Sequence, residues 1–483
     1  MSFLFGISET ANLETLNLEN VNLKWYDMSN IYKYYPRGVF LVTKKVSTDN
    51  ANPNIEIYSL YDIKTYQKFG LNMLENKNIV MRACQNANLE FLNWWLDSGL
   101  ELQYNEGAMI YASKNGHLQV LDWWLSSGLE LKYDCQAIIW ASKNGHLDVL
   151  NWWLASGLEL KYDEWAMNWA SKNGHSHVLD WFLASGLELK YDYGAIKSAS
   201  KNGHLHVLNW FLASGLKLKY DKRAIARASE NGHLDVLNWF LASGLKLKYN
   251  SMAIEWASEN RHFDVLNWFL TSGLKLKYDE WPINRASATG HLAVLNWWLD
   301  SGLKLKYDQR AINAASENAH LQVLNWFLGS GLELKYDEGA LAFASKNGHI
   351  AVLNWWLDSR LELKYDERAI YWASANGYSD ILNWWLGSGL ELKYDCRAMD
   401  FCMEKHAVDT IEWWIQSGLP LKYTRCPVKW ASKKGYISIL KSWAAAGLPL
   451  DSADEAIELA LGRDQTEVLD WWREMGFDPD PKD

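Results

Sequence analysis

Cysteine is scarce in this sequence. Cys84, Cys135, Cys396, Cys402 and Cys426 are scattered, without a CxxC pair or zinc spacing. That usage builds no disulfide framework and suits a reducing compartment. No run of eighteen apolar residues occurs, so no transmembrane helix is expected and no membrane insertion. The start, MSFLFGISETANLETLNLEN, has neither a basic end nor a long apolar core and is not read as a signal peptide. Excess positive charge is missing too. With 48 Lys and Arg against 58 Asp and Glu, the net charge is −10, whereas a general nucleic-acid binder is usually basic. A Gly-rich phosphate loop, a metal motif and a nucleophile elbow are all lacking. No catalytic residue, metal site or cofactor is therefore expected, and the chain is read as intracellular and cytoplasmic, in the host's cytoplasm if the source is a virus.

What is present is repetition. The chain is 49% hydrophobic and 22% charged, the composition of a folded chain rather than a disordered one. Ala83, Ala112, Ala141, Ala170, Ala199 and Ala228 stand 29 residues apart, and the frame holds through Ala257, Ala286, Ala315, Ala344, Ala373, Cys402, Ala431 and Ala460. A period between about 20 and 50 residues implies a solenoid, in which each unit buries its apolar face only against its neighbours.

The stretch Ala141 to Trp169, with the Tyr133-Asp134 before it, shows what one unit must do. Asp134 suits a helix N-cap, because its carboxylate can accept from the free amides of a first turn. A short helix is predicted over Ala137 to Lys143, ended by Asn144-Gly145. His146 opens a second helix to about Ala155, whose Leu147, Val149, Leu150, Trp153 and Leu154 have helical spacing. Ser156-Gly157-Leu158 reads as a Schellman-type stop. Leu158-Glu159-Leu160-Lys161 is then a short extended link.

The segment ASKNGHLDVLNWWLASGLEL resembles an ankyrin repeat in its A-A, G-H, V-V, L-L and G positions. The resemblance implies an all-α, ankyrin-like solenoid of about fourteen helix-turn-helix repeats. An ordinary ankyrin unit has about 33 residues and carries a β-hairpin finger. Only Lys161-Tyr162-Asp163-Glu164-Trp165 remains here, and the TPLH box is replaced by Trp165-Ala166-Met167-Asn168. The short loop looks like the class found in amoebal giant viruses and some zoosporic fungi and protists. It covers roughly residues 60 to 476 and implies a protein-binding role.

Residues 1–61 are expected to form a small β-containing cap, with a strand over Gly38–Val46 pairing with one from Ile55. Residues 62–74 are read as a half-repeat capping helix, with Asp62–Phe69 as its helix. The solenoid spans 75–476, blunted by Arg473 and Glu474, and 477–483 form a disordered tail. Arg261 and Ala319 replace the turn glycine and Arg360 the helix-stop glycine. Holding such a residue left-handed costs about 1–2 kcal/mol, so those turns are expected to relax. The irregular Cys402–Val408 suggests a bend near residue 405.

Nine histidines, His117, His146, His175, His204, His233, His262, His291, His320 and His349, share one column. Neighbouring units stack about 10 Å apart, too far for two imidazoles to share a metal at about 2.0–2.1 Å each. They are expected to bond the neighbouring loop. One tryptophan column, Trp153 and its equivalents, exchanges freely with Phe and reads as buried filler. The other, from Trp94 through Trp152 to Trp413, allows no substitute, and inter-repeat stacking of indoles is expected.

Columns that vary between repeats are read as surface. They start at Ile139, Trp140 and Gln136, and the ankyrin frame places them in the concave groove. Their aromatics and arginines are the residue types that concentrate binding energy at interfaces. The candidate binding residues are Trp140, Trp165, Trp169, Arg223, Arg227, Trp256, Trp281, Arg285, Arg310, Tyr371 and Trp372. After the helix-stop glycine the charge is Glu at 130, 159 and 188, Lys at 217, 246, 275 and 304, and Glu again at 333, so a basic middle is expected.

The leading expectation is a non-enzymatic interaction scaffold for an unidentified protein partner. The alternatives are a substrate adaptor docked by its N-terminal cap, binding of an acidic or nucleic-acid ligand by the basic middle, and a self-associating structural protein. The oligomeric state is left open.

Overall fold

The computed structural model describes the strand backbone at residues 3–8, 26–27, 40–45 and 55–59, and then residues 64–65, 78–101 and 103–477. The chain divides into two compact units, Met1–Tyr249 and Asn250–Asp483. Among the described residues, 28 helices form fourteen pairs, six in the first unit and eight in the second.

The first unit opens with a four-stranded antiparallel sheet of β1 (Phe3–Ser8), β2 (Tyr26–Asp27), β3 (Phe40–Lys45) and β4 (Ile55–Ser59). The order is β2-β1-β3-β4, with Phe3 opposite Lys45 and Leu41 opposite Tyr58. The pairing expected between the Gly38–Val46 stretch and Ile55 is therefore present. The strand at Phe3–Ser8 was not anticipated. The helix expected over 62–69 falls outside the described residues except at Lys64 and Thr65, and the tail at 478–483 falls outside them altogether.

Repeats are numbered from the pair Ile79–Gln85 and Leu89–Ser98. Repeat 3 pairs Gln136–Asn144 with Leu147–Ala155, and repeat 4 pairs Glu164–Lys172 with Ser176–Ala184. Helices of about nine residues are too short to persist alone. Each is held by its neighbours, first helix against first helix and second against second. The buried side is written into the sequence: Val149, Leu150 and Trp153 of the second helix and Ala166, Met167 and Ala170 of the next first helix are all 0–1% exposed. Burying a Val, Leu or Met side chain contributes about 1.5–3 kcal/mol, and the array repeats that contribution in every unit.

The expected Asp134 cap falls one residue early: the helix starts at Gln136 with Cys135 at the cap position, and Asp134 Oδ1 accepts from the Gln136 amide at 2.8 Å. Asp163, by contrast, is itself the N-cap of the next first helix and accepts from the Trp165 amide at 3.0 Å. The Schellman arrangement sits at the tight turn instead of the stop. There Gly145 is left-handed (φ 75°), and the His146 amide donates to Ala141 O at 3.0 Å. At the stop, Ser156 Oγ donates to Trp153 O at 2.8 Å and accepts from the Leu158 amide at 3.2 Å. The hydroxyl thus takes the amide that a Schellman stop would give to a carbonyl. In repeat 13, Ala446 has no hydroxyl, and the Leu448 amide donates to Trp443 O at 3.2 Å.

The turns expected to relax do not. Arg261, Ala319 and Arg360 keep φ of 61°, 57° and 59°. The His262 and His320 amides still reach Ala257 O and Ala315 O at 2.9 Å, so packing on both sides outweighs a strain of about 1–2 kcal/mol. Near residue 405 the turn is equally regular: His406 is left-handed at 58°, and the Ala407 amide reaches Cys402 O at 2.9 Å.

Candidate binding surface

Side-chain links at fixed offsets tie repeats to their neighbours, and they decide which columns are free for a partner. The histidines bond the preceding unit's first helix: His146 Nε2 lies 3.0 Å from Lys114 O, His233 Nε2 2.9 Å from Lys201 O and His349 Nε2 3.0 Å from Glu317 O. With the proton on Nε2, each ring donates to a carbonyl left open at a helix C-terminus. Burial pulls the His175 and His204 pKa values below the usual one. Among the described residues, no group of three or more His, Cys, Asp or Glu is placed to hold a metal.

The invariant tryptophans do something other than stack along the back. Trp152 Nε1 donates to Asp122 Oδ1 at 2.6 Å, Trp181 to Asn151 at 2.8 Å, Trp355 to Asn325 at 2.7 Å and Trp413 to Asn383 at 2.7 Å. Phenylalanine has no N–H, which explains why none replaces them. Each indole also meets the second-column ring of its own repeat edge-on, as Trp152 meets Trp153 at 5.1 Å and 89°.

The second column is more than filler at several of its tryptophans, although Trp298 Nε1 and Ser258 Oγ, at the same offset, are both buried without a partner. Trp153 Nε1 donates to Ser113 Oγ at 3.0 Å and Trp385 to Ser345 Oγ at 3.0 Å, both pairs buried. Where the ring is phenylalanine the serine bonds elsewhere or not at all. With Phe211, Ser171 Oγ turns back to Met167 O at 2.7 Å, and with Phe182, Ser142 Oγ has no partner.

The link in place of the finger is built from Lys and Tyr. Lys219 Nζ lies 4.3 Å from the centre of the Tyr191 ring and donates to Tyr191 O at 2.9 Å. Tyr191 Oη in turn donates to Lys217 O at 2.9 Å. Such cation–π contacts contribute about 0.5–1 kcal/mol each at exposed sites. Lys217 itself projects into solvent from this link.

One column expected at the surface is largely interior. Ile139, Asn168, Ala226, Asn284, Asn313 and Ala342 are 0–7% exposed. Asn168 Nδ2 donates to the next repeat's cap, Asp192 Oδ1, at 2.7 Å, and Asn313 does the same to Asp337 at 2.6 Å. The cap it faces is Asp in nearly every repeat, so the Asn members bond a constant neighbour while Ile139, Ala226 and Ala342 are buried at the same position.

The remaining candidates lie on first helices and their tips. In the first unit, Trp165 is 53% exposed and its ring centre is 6.4 Å from that of Trp169. Trp165, Trp169 and Arg227 line a depression of about 330 Å³ together with Tyr193, Gly194 and Ser198. Trp140 is half-buried beside Lys114 and Lys143, whose Nζ atoms are 4.3 and 4.0 Å from its ring centre. Arg223 stacks on Tyr193 at 4.3 Å. In the second unit, Trp281 is 45% exposed and Trp256 half-buried. Trp372 stacks on Phe343 at 5.4 Å and 15°, and Tyr371 touches both Trp372 and Phe401.

The candidate arginines of the middle repeats are each paired with a carboxylate. Arg223 is paired with Asp221 at 2.6 Å, Arg227 with Glu230 at 2.6 Å, Arg285 with Glu259 at 3.0 Å and Arg310 with Asp308 at 2.7 Å. Arg310 pulls the Asp308 carboxyl below its ordinary range through that side-chain bond. Among the described cations with no carboxylate at ion-pair distance are three lysines the sequence reading passed over, Lys114, Lys143 and Lys172, which lie over the Trp140 and Trp169 rings. The signal was available: the residue after Ala-Ser is Lys in repeats 2 to 5 and Glu in repeats 6, 7 and 9.

Residues 80–164 match the family model described as ankyrin repeats, in 3 copies. No curated protein matches the chain. Among the described residues no helix is long and apolar enough to cross a membrane. The repeated helix-turn-helix packing, read with the family match, makes each unit an ankyrin-like α-solenoid, a fold that typically serves as a non-enzymatic scaffold for protein–protein interaction.

Proposed function

We propose that the chain binds a protein partner on the face that the first helices and their tips form within each unit. Trp140, Trp165, Trp169, Arg223 and Arg227 contribute in the first unit, and Trp256, Trp281, Arg285, Arg310, Tyr371 and Trp372 in the second. The observation that carries this reading is the contrast between two tryptophan sets. The invariant second-helix tryptophans from Trp123 to Trp413 give their N–H groups to neighbouring repeats, whereas Trp165 and Trp281 stand about half exposed at the tips. Exposed aromatics beside arginines are what an interface core is made of. In this reading the short-loop repeat supports a likeness to the class seen in amoebal giant viruses and some zoosporic fungi and protists, and the chain acts in the cytoplasm.

The test is affinity purification from a cell lysate with the intact chain and with a variant carrying Trp140→Ala, Trp165→Ser, Trp169→Ala and Trp372→Ala. A specific protein recovered only by the intact chain supports the reading. Equal recovery by both moves the binding surface elsewhere, to the N-terminal strands or the second-helix side.

A further inference from the structure

Lys114, Lys143 and Lys172 occupy the same place in repeats 2, 3 and 4, each just before the Asn of the tight turn. Lys114 and Lys143 lie over Trp140, with Nζ 4.3 and 4.0 Å from the ring centre. Lys143 and Lys172 lie over Trp169 in the same way, at 4.4 and 4.2 Å. Ammonium and indole therefore alternate along the face. The indoles hold each ammonium in place through their ring quadrupoles, with no opposing negative charge to cancel it. Partial burial, with Lys172 and Lys114 next to it, holds the Lys143 pKa below the usual lysine value. Crowded cations of this kind gain from a bound anion.

Beyond Lys172 the side chains become small. Repeat 5 has Gly194 and Ser198 where repeat 4 has Trp165 and Trp169, and this opens the depression of about 330 Å³. That volume is at the low end for a ligand pocket and suits one large side chain. Trp165, Trp169 and Tyr193 wall it, and Lys197 and Lys201 stand on its rim.

We infer that this face takes an extended acidic peptide segment, with carboxylates at every third residue on Lys114, Lys143 and Lys172 and a large apolar side chain in the depression at Gly194 and Ser198. The inference rests on the reading above that the first-helix face binds protein, and it names the chemistry of the partner. Spacing supports it. Stacked repeats advance roughly 8–10 Å. A polyproline-type segment rises about 3.1 Å per residue, so three residues cover about 9 Å on one side of the chain. A β-strand's same-face spacing of about 6.6 Å falls short. A single-stranded nucleic acid is the poorer fit, because it needs open aromatic faces for its bases, and these two indoles already carry two ammonium groups each.

The experiment is fluorescence anisotropy with the full chain and labelled peptides of about sixteen residues. One carries Glu at every third position, separated by Pro and Ala, with a Phe at one end. A second has the same composition with its glutamates in one block, and a third has Gln for Glu. The spaced peptide should bind at least about tenfold tighter than the blocked one at about 0.15 M salt, and the Gln peptide should not bind. Lys143→Glu and the milder Lys143→Gln should each weaken the spaced peptide about tenfold or more with unchanged helical circular dichroism, while Lys143→Arg keeps it. Ser198→Trp should weaken the Phe peptide and leave a Phe-to-Ala version unchanged. Equal binding of spaced and blocked peptides, indifference to Lys143→Gln, or tighter binding of an oligo-dT of matching length would each overturn the inference. A partner lost from the tryptophan variant but retained by Lys143→Glu would overturn it while leaving the proposed binding face standing.

Discussion

Trp152 and Asp122 are thirty residues apart in sequence and joined by a 2.6 Å bond from indole Nε1 to carboxylate Oδ1. The same offset recurs from Trp123 to Trp413, with Asn or Asp as acceptor. This bond, rather than ring packing, fixes the residue type. Trp152→Phe should therefore destabilise the chain by about 1.5–3 kcal/mol, the net value of a hydrogen bond to a charged group. Asp122→Ala should cost a similar amount, and the double variant little more than either. A denaturation double-mutant cycle reads this directly. Simple additivity would mean the pair does not interact.

Phe182→Trp should stabilise. Ser142 Oγ is buried without a partner opposite Phe182, while the equivalent Trp153 reaches Ser113 Oγ at 3.0 Å. A new indole N–H would satisfy the orphaned hydroxyl, for a gain of about 1 kcal/mol. The thermal midpoint should rise. A fall would show that the Phe repeats lack room for an indole.

Gly203 and Gly215 both have left-handed backbones, at φ 71° and 74°. A Cβ on Gly203 would meet His233 Nδ1 at 2.8 Å, whereas one on Gly215 meets nothing within 4 Å. Gly215→Ala should cost only the conformational strain, about 1–2 kcal/mol. Gly203→Ala should cost more, because it also pushes His233 off Lys201 O. Equal midpoints in urea for the two variants would refute this account of the histidine's seat.

Stability should fall on mild acidification. Burial lowers the pKa of His175 and His204 in the folded chain below 6.5, so below that pH the unfolded chain binds more protons. The contribution is complete above about pH 6.5 and is lost as pH falls from there through the folded values. Thermal midpoints measured from about pH 7.5 to about pH 5.5 should drop. Replacing both histidines by Gln should flatten that slope, and an unchanged slope would assign the loss to other groups.

Most of the fold could be read from the sequence because the 29-residue columns expose each position's role many times over. The Leu147–Ala155 helix, the Asp cap and the left-handed Gly157 all follow from local chemistry. The links between repeats were harder, since propensity says nothing of contacts thirty residues away. One clue was present. An Asn or Asp precedes each Trp from Trp94 to Trp384, and Glu412 replaces it just where the next repeat has Ser442 instead of Trp. Acceptor and donor disappear together. Variability misled in one column, because most of its members are buried and Asn168 bonds the neighbouring cap instead of facing solvent. The sequence likewise did not show that the loop-tip arginines bond their own caps, as Arg397 does Asp395 at 2.7 Å.

The bond from the Trp181 indole to Asn151, that from Lys190 to the Tyr162 carbonyl and that from Tyr162 to the Glu188 carbonyl span 30, 28 and 26 residues. Because all are set by one period, a single inserted residue in a first or second helix would put several donors out of register at once. Excision of a whole block of 29 would leave every donor facing an equivalent acceptor. Within either unit such a chain can change length only in whole repeats, which makes its evolution a matter of copying and deleting modules, with single residues free to drift only where no neighbour reads them.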